Sequence, residues 1–353
     1  MSPAARGTVS FVGDVMIRRP FAESGRGTTP GFHRAIAAMR ESDVVIANLE
    51  MPLSRRGHRV PKWSNLRSDP EVIKDVRAMG MDVVTLANNH MYDYGPEALL
   101  DTLEACRGAG IACCGAGPDL ESALAPVNVR AGGASVAVLS VACTLPVESS
   151  ARPGKPGIAP IDVTYSFELD INLMVEQPGT VPIVHTWTSP ADQKVVCDRV
   201  AALRAGEQTV VVAVHWGVPE KWLSPSLGHL AEYQRPLGHA LVDAGADVIF
   251  GHHSHCLHPI EVYRRKPIFY SAGNFLFEDP RSFMAPESVI VQLGVGPDGF
   301  DVTIVPVILD ANGFPELATG DGARRVFRLL SELLREFDAV LEPDGDRARL
   351  SLR

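Results

Sequence analysis

Five short polar segments in this chain carry residue types that could together hold metal ions. They are Gly13-Asp14, Asn48-Leu49-Glu50, Asn88-Asn89-His90, His215-Trp216-Gly217 and His252-His253-Ser254-His255. A hard or borderline divalent cation takes carboxylate, amide oxygen and imidazole ligands. Asp14, Glu50, Asn89, His215, His253 and His255 offer that mixture. In an extended segment His253 and His255 would project to one face, and each could give a nitrogen to a metal pair. A single HxH pair is a weak signal. Five donor segments in one chain are a strong one.

Each segment closes an apolar run: VSFVG, DVVIA, MDVVTLA, TVVVAV and GADVIFG. Short runs rich in Val and Ile suit strands buried on both faces. In open α/β sheets the ligand crevice lies beyond the carboxyl ends of the strands, so five such ends converge on one place. Between the runs lie helical patterns such as GFHRAIAAMRESD, PEVIKDVRAMGM, PEALLDTLEACRGAG, ADQKVVCDRVAALRAGEQ and LAEYQRPLGHALVDAGA. Alternating strands and helices define a layered α/β fold. PIFYSAGNFLF, SVIVQLGVG and DVTIVPVIL read as later, more antiparallel strands, and apolar spacing near the C-terminus predicts a terminal helix over residues 322–345.

Acidic residues exceed basic ones by 42 to 33, which argues against a general nucleic-acid binder. The six cysteines form no CxxC pair and read as reduced thiols. No apolar stretch approaches the 18 or so residues of a membrane span. The N-terminus lacks a signal-peptide core, so the chain reads as cytoplasmic. There is no GxSxG, no Walker A run and no Rossmann glycine pattern.

Two polar stretches, residues 18–33 and 54–70, follow site segments directly and read as loops over the crevice. They carry Arg18, Arg19, Arg55, Arg56, Arg59 and Lys62, a basic cluster that suits an anionic substrate. Trp63 is a candidate substrate platform, and Asn274 in SAGNF a candidate polar contact near the site. Residues 150–192 break the alternation and read as an inserted lobe with a hairpin, a candidate substrate-selecting element within one domain spanning 1–353. His33, His58, His185, His229, His239 and His258 read as surface or core groups.

The segments GD, NLE, NNH, HWG and HHSH, with ANNHMYDYG, AVHWG, GHHSH and YSAGNFLF, resemble the CapA-type poly-γ-glutamate capsule-biosynthesis family over residues 8–280. That family is a branch of the calcineurin-like metallophosphoesterase superfamily. The resemblance implies a four-layer α/β/β/α sandwich with two divalent ions, manganese, zinc or iron, at the strand ends. It assigns Asp14 and His255 to the first ion, and Asn89, His215 and His253 to the second. Glu50 takes the place of the bridging carboxylate, His90 faces the leaving group, and Asp93 could orient His90. The phosphoesterases carry Asp-x-His in the first segment, whereas Asp14 here is followed by Val15 and Met16, which removes one imidazole from the first site. His252 is a poor substitute if the segment is a strand, because adjacent side chains then point to opposite faces. NLE in place of GDxxD is the usual form in this branch.

These readings lead to a metal-dependent hydrolase that uses activated water on a phosphoester or a γ-glutamyl amide. The alternative is a component of poly-γ-glutamate biosynthesis that binds or transfers γ-glutamyl chains without acting as a phosphatase. The oligomeric state is left open by the sequence.

Overall fold

A computed structural model of the chain describes residues 7–206, 208–218, 230–278, 285–296, 299–337 and 339–352. His229 lies outside them. Among the described residues, ten strands form a first sheet and six a second. In the first, Gly7–Met16, Val44–Leu49, Val83–Thr85 and Ala112–Cys114 run parallel, side by side. On its other side Gly7–Met16 pairs antiparallel with Glu287–Gly296, which pairs with Gly299–Leu309. In the second, Ala134–Ala142, Thr209–His215, Val248–His252 and Lys266–Phe269 run parallel, with Val127–Ala131 and Ile260–Tyr263 antiparallel at the edges.

The alternation of side chains along each strand builds the layers. Val9, Phe11, Val44 and Ile46 of the first sheet meet Val138, Val211, Val248 and Phe250 of the second in one buried cluster. Phe11 stacks on Phe250 with ring centroids 5.0 Å apart. The opposite faces are covered by helices. Val12, Val45 and Val84 pack with Met39, Val76 and Leu99 of the helices Pro30–Met39, Ile73–Met79 and Gly95–Gly108. Leu139, Val212 and Ile249 pack with Val200 and Leu241 of Pro190–Arg204 and Gln234–Asp243. The result is a four-layer, metallophosphoesterase-like α/β/β/α sandwich. Local signals start its helices where they should: Thr29 and Ser189 accept the N3 amides, each followed by proline at the first helical position.

Several boundaries differ from the sequence reading. PIFYSAGNFLF is two strands in different sheets. Lys266–Phe269 belongs to the second, and Asn274–Phe277 crosses to run parallel beside Gly7–Met16. Gly273, at φ 76°, makes that crossing. The C-terminal helix covers Asp321–Leu333 and tightens to a 3₁₀ turn at Leu334–Glu336, after which Val340–Asp344 and Arg347–Ser351 form a hairpin. Pro343 is incompatible with a helix interior, and Gly345 makes the turn at φ 64°. The stretch 18–33 holds a short helix, Phe21–Ser24, and the first turn of another. Within 150–192, Ala151, Ile158, Ala159 and Ile161 are core. Only the hairpin Val163–Glu168 and Ile183–Thr188, with the helix Ile171–Glu176 between, stands out from the body. Among the described residues no helix is long and apolar enough to cross a membrane.

Candidate metal centre

The donors gather where the two sheets bring their strand ends together. Asp14 sits at a register shift near the end of its strand. Gly13 permits this, because a Cβ there would lie 1.9 Å from the carbonyl oxygen of Gly273, to which Asp14 N donates at 3.2 Å. Glu50 follows the next strand and is tied back by its amide to Val15 O at 2.9 Å. His215 and His252 end their own strands. His253 and His255 then adopt φ of 92° and 55°, left-handed conformations that non-glycine residues rarely take. The extended HxH expected from the sequence is therefore a tight turn. Strand alternation ends at His252, and its Nδ1 comes to 3.1 Å from Asp14 Oδ1 instead of pointing away. Backbone strain of this kind clusters at functional sites.

Two donor groups result, and they share Glu50. Ligand atoms of Glu50, His215 and His253 lie within 4.8 Å of one another, as do those of Asp14, Glu50 and His255. Glu50 Oε1 is 3.5 Å from His215 Nε2 and 3.7 Å from His255 Nε2, and Asp14 Oδ2 is 3.4 Å from His255 Nδ1. Asn89 Oδ1 lies 2.9 Å from His215 Nε2. Glu50 is fully buried, and among the described residues neither of its carboxylate oxygens has a hydrogen-bond partner. His253 Nδ1 is likewise unpartnered. Buried carboxylates without partners are costly. Divalent cations held by Asp14, Glu50 and His255 and by Glu50, His215 and His253 would supply the partners that the Glu50 carboxylate lacks, so the donor set fits such ions.

The electrostatics agree. Burial pushes the Glu50 carboxyl well above the usual carboxylate range, and the negative charge of Asp14 pushes it further. Burial would raise Asp14 too, but His252, His255 and Asn48 together bring it below its ordinary value. Burial holds His215 well below the usual histidine range and His253 down to about 3, with neighbouring histidines adding to both. Neutral imidazoles are the form that binds metal.

A frame of amides holds these groups. Asn48, buried and given no role by the sequence reading, donates Nδ2 to Asp14 Oδ1 at 2.8 Å. Asn88 donates to Asn48 Oδ1 at 3.1 Å and to Leu49 O at 2.9 Å, while its own Oδ1 accepts the amides of His90 and Met91. Asn274, expected at the substrate, is buried instead, with Oδ1 2.9 Å from His255 Nδ1. It lies opposite Asp14 in the strand register, which turns it toward the turn of histidines.

His90 forms a separate relay. Its Nδ1 is 2.6 Å from Asp93 Oδ2, and Lys62 Nζ lies 2.6 Å from Asp93 Oδ1, 2.6 Å from Asn89 O and 3.4 Å from His90 Nδ1. Burial lowers His90 below the ordinary histidine value, against the opposing pull of Asp93. Lys62 is thus built into the site, although the sequence marked it only as one charge in a basic loop. The other basic residues of that loop are engaged elsewhere: Arg55 with Asp69, Arg56 with Asp101 and Arg59 with Asn65. Arg18 and Arg19 are exposed where the first strand ends, and the Arg18 amide donates to Glu278 Oε2 at 2.5 Å. Trp63 is exposed beside Lys62. Met16 is buried in the core.

Fold and site define a metallophosphoesterase-like protein with a shared-carboxylate donor cluster. The profile of the family Bacterial capsule synthesis protein PGA_cap matches residues 8–279, and the chain belongs to that family. It is 29% identical over 332 residues to "Capsule biosynthesis protein CapA" of Bacillus anthracis, covering 92% of this chain and 73% of that one. It is 29% identical over 308 residues to "PGA biosynthesis protein CapA" of Bacillus subtilis (strain 168), covering 85% and 71%. It is 32% identical over 249 residues to a "Probable polyglutamine synthesis accessory protein" of Mycobacterium tuberculosis (strain CDC 1551 / Oshkosh), covering 68% and 57%.

Proposed function

We propose that this chain is a metal-dependent hydrolase of the capsule synthesis family, acting on an anionic substrate that is a phosphoester or a γ-glutamyl amide. The observation that carries the reading is Glu50, a buried carboxylate with no hydrogen-bond partner among the described residues, shared by two donor groups. Asp14, Glu50 and His255 would hold one divalent ion; Glu50, His215 and His253, with Asn89 beside them, would hold the other. Such a pair supplies Lewis acidity, polarising a substrate oxygen and acidifying water.

The protein's own groups do the rest. Asp93 accepts from His90 Nδ1 and so fixes the tautomer, leaving Nε2 as the atom that exchanges a proton with the leaving group. Lys62 pins Asp93 and the carbonyl of Asn89 together, which holds His90 beside the ligand cluster. Arg18, Arg19 and Trp63 lie exposed on the loops that follow two of the donor strands, where they can meet an anionic chain.

The names of the relatives favour a second reading, a biosynthetic role in which the site binds or transfers γ-glutamyl chains without hydrolysis. One experiment separates the two. Chelator-stripped protein is reloaded with manganese, zinc or iron and offered an aryl phosphodiester and a γ-glutamyl anilide. Metal-dependent cleavage of either, lost in His90→Asn, supports hydrolysis. Binding of polyglutamate without cleavage under every metal supports the biosynthetic role.

A further inference from the structure

His185, on the hairpin that stands out from the body, has a carboxylate on each side of its ring. On one side Nε2 lies 2.8 Å from Oε2 of Glu168, which stands on the paired strand of the same hairpin. On the other, Nδ1 lies 3.3 Å from both oxygens of Glu232, which belongs to the body just before the helix Gln234–Asp243. A neutral imidazole carries one N–H. It can donate to one of these carboxylates and must turn a bare lone pair toward the other. Only the imidazolium, with a proton on both nitrogens, serves both. The arrangement suits a charged ring.

Glu168 and Glu232 are the charged groups that face His185 among the described residues. Together they hold its proton and lift it above the ordinary histidine value, Glu168 foremost. The body side of the contact carries more than the ring. Glu232 Oε2 also accepts the amide of Thr186 at 2.8 Å, and Thr186 Oγ1 accepts the amide of Tyr233 at 3.2 Å. The phenol oxygen of Tyr233 in turn accepts the amide of Gly217 at 2.6 Å, two residues beyond His215 of the donor cluster. The seat of the hairpin is thus continuous with a segment of the candidate metal centre.

We propose that His185 is a pH-sensitive clasp: doubly protonated, it ties the hairpin to the body through Glu232, and after losing one proton it lets that tie go. The shorter contact keeps the remaining proton on Nε2, toward Glu168 and inside the hairpin. The lone pair of Nδ1 then faces Glu232, so the loss falls on the contact between hairpin and body. The sign follows from the raised value. The clasp contributes fully below the ordinary 6.5 and fades as pH rises through the value His185 has in the fold. Exposed ion pairs are worth little each, and the bonds of Thr186 and Tyr233 remain, so the hairpin loosens without coming free. The clasp is independent of the hydrolytic reading and of any bound metal.

Two measurements on the full chain test it. In isotope-labelled protein, NMR should show both His185 ring nitrogens protonated in mild acid. The midpoint should lie above 6.5 and fall in Glu168→Gln and in Glu232→Gln. Hydrogen exchange in peptides from residues 163–188, corrected for the intrinsic effect of pH on amides, should quicken about threefold from about pH 6 to about pH 8.5. In His185→Gln it should stay flat. The three side chains lie at the surface, so circular dichroism should show the native fold in each variant. A midpoint at or below 6.5, or one indifferent to Glu232→Gln, overturns the clasp. So does wild-type exchange as flat as that of His185→Gln, or a variant that keeps the wild-type slope.

Discussion

Lys62 Nζ and Asp93 Oδ1 lie 2.6 Å apart, and the second oxygen of the same carboxylate lies 2.6 Å from His90 Nδ1. A loop that follows one donor strand thereby fixes the histidine that follows another. On the proposed hydrolytic reading, this pairing would make Lys62 and Asp93 positioning residues and His90 the group that meets substrate. His90→Asn should lower kcat by about 10²–10⁴-fold. Asp93→Asn should lower it by about 10–100-fold, as losses of outer-shell partners do. Lys62→Met should follow Asp93→Asn in sign, with bound metal unchanged in all three by elemental analysis. Full activity in Asp93→Asn would remove the relay from the mechanism.

The shared carboxylate gives a prediction whose sign depends on the ion. In chelated protein, Glu50→Gln removes a buried group that burial pushes toward neutrality and that has no hydrogen-bond partner among the described residues. Its urea midpoint should rise, reflecting a gain in unfolding free energy on the order of 1–3 kcal/mol. With manganese or zinc added, wild type should gain stability by mass action and Glu50→Gln should gain far less. A variant that loses stability without metal, or gains as much from metal as wild type, contradicts the assignment.

Asn274 holds His255, so its removal should act on metal and leave the fold in place. Asn274→Ala should bind the metal about 10–100-fold more weakly in a competition titration with a chelating dye. A higher KM with unchanged metal affinity would instead return Asn274 to the substrate.

The buried histidines set how metal-free protein responds to acid. The folded pKa of His253 is depressed to about 3, from 6.5, and that of His215 lies well below its ordinary value. Between about pH 3 and 6.5 the unfolded chain binds more protons than the folded one, so stability falls as pH is lowered through that window. The slope is at most about 1.4 kcal/mol per pH unit for each histidine. Glu50 acts in the opposite sense: its raised pKa favours the fold at low pH and loses that contribution as pH rises through the folded value. Urea midpoints of chelated protein should therefore drop from pH 6.5 to pH 4.5, and His253→Gln should flatten the trend. An unchanged slope in His253→Gln would show that His253 titrates freely.

Much of the fold was legible in the sequence because the strands are short Val- and Ile-rich runs, buried on both faces and punctuated by polar donors. The joint pattern of Asp14, Glu50, Asn89, His215, His253 and His255 could be read because each donor sits where an apolar run stops. The turn at His253 and His255 could not be read. HHSH after a strand looks extended, and only tertiary packing against Asp14 and Asn274 sustains two left-handed residues. The same holds for His252, whose approach to Asp14 depends on the strand ending at that residue. Loop charges misled for a related reason. Arg55 and Arg56 look free in sequence, yet Asp69 and Asp101 neutralise them through the fold, whereas Lys62 finds Asp93 and becomes part of the site. Asn48 and Asn88 carried a signal in their position beside the donors, but buried amides that orient ligands resemble any other strand-end polar residue.

The central claim is that Glu50 joins two donor groups into one metal centre, and counting ions tests it most directly. Wild-type protein and Glu50→Gln, each stripped, reloaded with excess manganese or zinc and desalted, would be measured by elemental mass spectrometry against protein concentration. The account expects two ions per chain in wild type and one or none in the variant. Wild-type protein that retains no metal, or a variant that retains as much as wild type, would contradict it.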